Sequence, residues 1–164
     1  MIKRNSSLIF ISLFIFTACG GGGGSYDPPA NPPAAGCTPS TTNLCITVVG
    51  GKYVVQNSSS AGVSQKTLTL NSGTYVFDQS DSSNANHPLR LSTTSNGTHG
   101  GGSAYATGVT TSGTAGTDGK TQIVIGAGTA TTLYYYCTNH SGMGGQINIV
   151  LGNQSGQVEF TETQ

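Results

Sequence analysis

The chain has 164 residues, which is room for one domain and a tail rather than for two cores. Only 7% of its residues are charged, against about a quarter in ordinary globular domains, while 25 are Gly and the formal net charge is zero. Sparse charge excludes a coiled coil or helical bundle, whose exposed faces need Glu, Lys and Arg, and the neutral balance excludes a nucleic-acid binder, which needs a basic surface. Disorder goes with high net charge and few β-branched residues. Here Val, Ile, Thr and Tyr recur in short alternating runs, so a small β protein is expected.

Residues 1–18 read as a signal peptide. Lys3 and Arg4 precede the apolar run Leu8-Ile9-Phe10-Ile11-Ser12-Leu13-Phe14-Ile15-Phe16, which is too short to span a bilayer as a helix. Phe16-Thr17-Ala18-Cys19, followed by Gly20 to Gly24, resembles a bacterial lipoprotein signal, although Phe stands where Leu is more usual. The resemblance implies lipidation of Cys19 with three acyl groups, and two or more hydrophobic anchors suffice for stable membrane attachment. With no Asp after the Cys, it also implies the outer membrane, on its periplasmic side or at the cell surface. Residues 19–36 then form a tether, flexible through the glycines and stiffened by Pro28-Pro29 and Pro32-Pro33. The folded domain is expected over 37–164.

Cys37 and Cys45 are separated by seven residues in a chain bound for an oxidising compartment, so a local disulfide is expected. Cys137 is left over. An unpaired thiol in an exported protein needs burial, a partner or a metal.

From Cys45 onward, strands are predicted at Ile46–Val49, Tyr53–Gln56, Lys66–Leu70, Thr74–Phe77, Leu89–Thr93, Thr121–Ile125, Thr132–Tyr136 and Gln146–Leu151. Alternation is clear in Lys66-Thr67-Leu68-Thr69-Leu70 and in Gln146-Ile147-Asn148-Ile149-Val150, the period-2 signal of a half-buried strand. Gly50-Gly51 and Asn71-Ser72-Gly73 read as turns, and no stretch has helical periodicity. The fold class is therefore all-β, a Greek-key sandwich or small barrel of about eight strands. The Gly-rich segment from Ser95 to Gly119 reads as a loop excursion with an edge strand around Tyr105–Thr110. Val158–Phe160 is either a further edge strand or a frayed tail.

The most informative stretch is Tyr134-Tyr135-Tyr136-Cys137-Thr138-Asn139-His140-Ser141-Gly142-Met143-Gly144-Gly145. It is a strand end, then Cys-x2-His-x2-Met, then a Gly turn into another strand. Thiolate, imidazole and thioether in seven residues make a soft ligand set, and a His2Cys site with a long axial Met is the blue-copper arrangement. A second His must come from elsewhere. His87, in Asn84-Ala85-Asn86-His87-Pro88, stands where a loop enters a strand, whereas His99, in the Gly-rich excursion, is a rival that reads better as a solvated loop residue. Zinc with the same residues stays open, although zinc sites seldom recruit Met.

These features together resemble a cupredoxin, and the short Cys-x2-His-x2-Met spacing is similar to that of amicyanin. The resemblance implies one type 1 copper ion with His87, Cys137 and His140 as equatorial ligands and Met143 as the axial one. Plastocyanin-like sequences often carry Asn after the upstream His. Pro88 stands there in this chain, so bracing of the Cys loop is expected through Asn86 or Asn84. The stretch from Phe77 through Arg90 is also similar to uncharacterised cupredoxin-like modules of marine bacterial and phage proteins.

On a strand, Leu133, Tyr135 and Cys137 share one face and Tyr134 and Tyr136 the other. Tyr136 is therefore expected near the surface, where the resemblance implies a place on an electron route and where ordinary strand packing is an equal alternative. His140 is expected to present its ring edge at an uncharged, Gly-rich surface, where a redox protein partner docks transiently. The function expected is that of a membrane-tethered single-electron carrier acting as a monomer. A non-redox surface module and a periplasmic copper buffer are the alternatives, the latter disfavoured by a chain with two Met. Catalysis is not expected, because protein fills all four usual copper positions and no second metal cluster is visible.

Overall fold

The computed structural model describes residues 36–152; the signal peptide, the tether with Cys19, and Val158–Phe160 lie outside the described residues. Ten strands follow in chain order: β1 (Asn43–Val49), β2 (Lys52–Asn57), β3 (Ser60–Ser64), β4 (Leu68–Asn71), β5 (Gly73–Gln79), β6 (Leu89–Ser92), β7 (Val109–Ser112), β8 (Gly119–Ile125), β9 (Thr132–Cys137) and β10 (Gly145–Val150). They form a six-stranded sheet in the order β3-β2-β1-β5-β8-β7 and a four-stranded sheet in the order β4-β10-β9-β6. The fold is an all-β sandwich. β1 pairs with β5, and β10 with β4, in parallel; the other ladders are antiparallel.

The expected count of about eight strands falls short by two. β3, Ser60-Ala61-Gly62-Val63-Ser64, carries one large apolar residue, and that residue is exposed, so it has no alternation to read. Backbone bonds to β2 hold it as an edge. β7 overlaps the edge strand anticipated in the Gly-rich excursion but is displaced toward its C-terminal side. Gly50 and Gly51 have φ of +56° and +72°, the left-handed pair that a two-residue hairpin of right-twisted strands requires. Asn71-Ser72-Gly73 makes no hairpin. It carries the chain from the four-stranded sheet to the six-stranded one.

The core lies between the sheets. Leu44, Ile46, Tyr53, Val55, Phe77, Ile123 and Ile125 from one sheet meet Leu68, Leu70, Leu89, Leu91, Leu133, Tyr135, Ile147 and Ile149 from the other. Tyr135 sits centrally, its ring centroid 6.3 Å from that of Tyr53 and 6.2 Å from that of Phe77, and its hydroxyl donates to the Lys66 carbonyl at 2.8 Å. Burial pushes both the Tyr53 and Tyr135 phenols well above the ordinary tyrosine range. At the edge strand β6, Gln79 Oε1 accepts from Leu89 N at 2.9 Å and Thr121 Oγ1 donates to Leu89 O at 2.9 Å. Side chains of the six-stranded sheet thus occupy backbone groups that an open edge would offer to another chain.

Cys37 and Cys45 form the expected disulfide, tying the segment that leads into β1 to β1 itself. Replacing both by Ala frees the unfolded chain of this short loop and is expected to lower stability by about 2–3 kcal/mol on the chain-entropy account. Urea denaturation of the two proteins side by side measures the difference.

Candidate metal centre

Strand pairing brings the two halves of the motif together. Leu89 of β6 stands opposite Cys137 of β9, and Thr138 N donates to Pro88 O at 3.1 Å, so the ladder continues past the strand ends. His87, one residue further back, therefore arrives beside Cys137 although fifty positions separate them. His140 follows on the turn that leaves β9.

Both imidazoles turn the same atom to the sulfur. His87 Nδ1 lies 3.8 Å and His140 Nδ1 3.7 Å from Cys137 Sγ, and the ring centroids are 4.6 Å apart. The ligand atoms of the three residues all fall within 4.8 Å of one another. With metal–nitrogen bonds of about 2.0–2.1 Å and a metal–thiolate bond of about 2.3 Å, an angle of about 120° at a shared ion separates N from S by about 3.8 Å. The observed separations meet that value, so the group can hold one metal ion with nitrogen and sulfur donors. Cys137 is fully buried, His87 is partly exposed and His140 is exposed. Met143 is buried within the hydrophobic cluster that also contains Cys137, and its carbonyl accepts from Tyr53 N at 2.9 Å.

The ligand turn is held from several sides. Gln65 Nε2 donates to the Gly142 and Gly144 carbonyls at 3.1 and 2.8 Å, and Asn96 Oδ1 accepts from Gly142 N at 2.7 Å. Lys52 Nζ also donates to Gly142 O, so the rim expected to be uncharged carries an ammonium group. Asn139 Nδ2 reaches across to Asn86 O at 3.0 Å, joining the two ligand loops. Of the two Asn residues expected from sequence to brace the Cys loop, Asn86 bonds it through its main chain, and Asn84 holds the His87 loop instead. Asn86 contributes its carbonyl, while the fully buried Asn84 side chain donates to Ile46 O at 2.7 Å and its carbonyl accepts from His87 N at 2.8 Å. Around the His87 carbonyl stand Tyr53 Oη at 2.6 Å and Gln79 Nε2 at 2.8 Å.

His99 is not part of the ligand group. It is exposed on a short 3-10 turn (Gly97–Gly100), and its Nε2 lies 3.1 Å from the Cys137 carbonyl oxygen, bracing the backbone of the Cys rather than joining its sulfur. Tyr136 also departs from expectation. It faces outward from the sandwich but is only 1% exposed, and its hydroxyl has no hydrogen-bond partner among the described residues. The excursion after β6 folds back over it, with Gly97 so close that a Cβ there would lie 2.5 Å from three atoms of the Tyr136 ring. The Gly-rich composition that made this segment read as a free loop is what lets it lie flat on the aromatic ring.

Sequence reading missed Tyr53, Gln65, Gln79, Asn96 and Asn139 as parts of the site. Gln79 lies two residues past the predicted run Thr74–Phe77, in the C-terminal extension of β5, and the others look like ordinary strand or turn residues.

Burial first, and then the nearby His140, disfavour the charged form of His87, so its imidazole is held below the usual histidine range. The neutral ring, which alone has a lone pair for a metal, thus prevails at neutral pH. Because the unfolded chain binds that proton more readily than the folded one, His87 contributes stability that is present above the ordinary histidine pKa and lost as pH falls through its lower folded value. An NMR titration of the metal-free chain is expected to show His87 protonating at lower pH than a free imidazole. Gly144 gives a second check, since a Cβ there would run into the Tyr135 carbonyl oxygen. Gly144→Ala is expected to cost more than about 2 kcal/mol in urea denaturation, as backbone clashes at packed positions do. Comparison with family models, curated proteins and solved structures finds no match to this chain.

Proposed function

We propose that the chain is a type 1 copper protein of the cupredoxin kind, tethered to the outer membrane through a lipidated Cys19, that carries single electrons between redox proteins of the cell envelope. The observation that carries this reading is the convergence of His87 Nδ1 and His140 Nδ1 on Cys137 Sγ, at 3.8 and 3.7 Å, in a chain whose Cys-x2-His-x2-Met turn also supplies a buried Met143. Two imidazoles, a thiolate and a thioether suit copper better than the all-Cys/His sets of structural zinc. Copper, when bound, supplies a one-electron couple.

The protein's own part is to hold its ligands still. Thr138 N on Pro88 O, Asn139 on Asn86 O, and Gln65 and Asn96 on the ligand turn keep both loops in place with main-chain and amide hydrogen bonds. Such outer contacts orient the donors and limit their movement when the charge at the centre changes. Cys137 is closed off from water, whereas His140 is exposed and offers a ring edge to a docking partner. The buried ring of Tyr136, next in chain to the thiolate, lies under the Gly97 turn and gives a second path outward through that cover.

Titrating the full-length chain with Cu(II) is expected to produce an intense visible thiolate-to-copper band that saturates at one ion per chain, bleaches on reduction and is absent from Cys137→Ala. A colourless protein with no tight copper site overturns the electron-carrier reading and leaves a surface module. A stable complex that takes zinc in preference and shows no reversible one-electron step overturns it equally.

A further inference from the structure

We propose that Gln79 and Tyr53 act together as a two-donor clamp on the His87 carbonyl, and that this clamp positions the His87 ring for metal binding; the inference rests on the metal-centre reading. The need for a clamp arises at Pro88. Proline has no N–H, and β6 starts only at Leu89, so the His87–Pro88 peptide gains little from the sheet ladder. His87 is thus a ligand placed just outside the strand that delivers it.

The His87 carbonyl has two lone pairs, and both are occupied: the Tyr53 hydroxyl donates at 2.6 Å and Gln79 Nε2 at 2.8 Å. Gln79 does more than cap one atom. Its Oε1 accepts from Leu89 N at 2.9 Å, so a single amide spans Pro88 and grips the chain on both sides of it. The Leu89 N–H also settles the orientation of that amide, since it can only meet the oxygen. The same Nε2 reaches Asn84 Oδ1 at 3.2 Å, and Asn84 Nδ2 is anchored on Ile46 O at 2.7 Å, which roots the arrangement in β1.

These side chains are buried, Gln79 at 2% exposure and Tyr53 and Asn84 at zero. A buried primary amide with every polar atom engaged is rigid, because any rotation leaves a donor or acceptor without water to replace its partner. Tyr53 and Cys137, both fully buried, also belong to the same cluster. One side chain therefore belongs to the surroundings of two of the three ligands, from the core side where solvent has no access.

A purely structural role would also destabilise the fold when removed, so the test includes Thr121→Val. Thr121 is equally buried and bonds the Leu89 carbonyl at 2.9 Å, on the same strand but beyond the grip on His87. Full-length Tyr53→Phe, Gln79→Met and Thr121→Val are titrated with Co(II), whose thiolate and ligand-field bands report donor geometry. Tyr53→Phe and Gln79→Met are each expected to raise the Co(II) dissociation constant by about tenfold or more, as loss of outer-shell partners does, and to shift the bands. Thr121→Val is expected to lower the melting temperature without either change. Should Gln79→Met fail to fold, the shape-preserving Tyr53→Phe carries the comparison. In the metal-free chains, NOEs between the His87 and His140 rings are expected to weaken in the two clamp variants only. Unchanged ring NOEs in both clamp variants, or an equal loss of Co(II) affinity in Thr121→Val, overturn the clamp. Ring NOEs that weaken in the clamp variants, together with a wild type that takes up no Co(II), uphold the clamp and overturn the metal reading instead.

Discussion

The register of β6 on β9 is the constraint from which the rest of the site follows. Leu89 opposite Cys137 is a main-chain pairing, and it decides that a loop residue fifty positions upstream stands beside the thiol. A slip of one residue would turn Cys137 out of the core and put Tyr136 in its place, because successive side chains on a strand face opposite ways. That slip is opposed at several points. Leu133, Tyr135 and Cys137 all point into the packed interior, and Tyr135 meets Tyr53 and Phe77 there. The hydrophobic core and the candidate metal centre are therefore specified by one alternation.

Around that ladder, the support of the site is built almost wholly from neutral amides and hydroxyls. Gln65, Gln79, Asn84, Asn96 and Asn139 each bridge separate segments, and Lys52 is the one charged side chain that touches the ligand turn among the described residues. A chain with few charges has little else to use. The choice also suits the location, since a buried amide that is fully hydrogen-bonded avoids the desolvation cost that an ion would carry beside a buried thiol. The same chemistry reappears where the sheets meet, with Gln79 and Thr121 bonded to the backbone of Leu89.

The Gly-rich excursion between β6 and β8 shows how composition can mislead while still being causal. Its glycines look like slack. In the fold they allow close approach: Gly97 lies on the Tyr136 ring, and His99, carried on the same turn, reaches the Cys137 carbonyl. The Gly97 turn lies there against the outer face of the four-stranded sheet, and Tyr136 is buried beneath it on the side of the sheet that faces away from the core.

Read alone, the amino-acid sequence determined the all-β class, most of the strands, the Cys37–Cys45 pairing and the three residues His87, Cys137 and His140. These are legible because alternation, cysteine spacing and a compact Cys-x2-His-x2-Met turn are local patterns, each set by a few neighbouring residues. The edge strand β3 was not legible, since its backbone bonds to β2 leave no mark on side-chain type. Nor were the roles of Tyr53, Gln79 and His99, or the burial of Tyr136. Each of these depends on contacts between segments distant in the chain, and a Gln at a strand end carries no sign of which carbonyl it will meet. Only the tertiary structure decided those, because hydrogen-bond partners are chosen by the packing of two sheets and not by the order of residues along one.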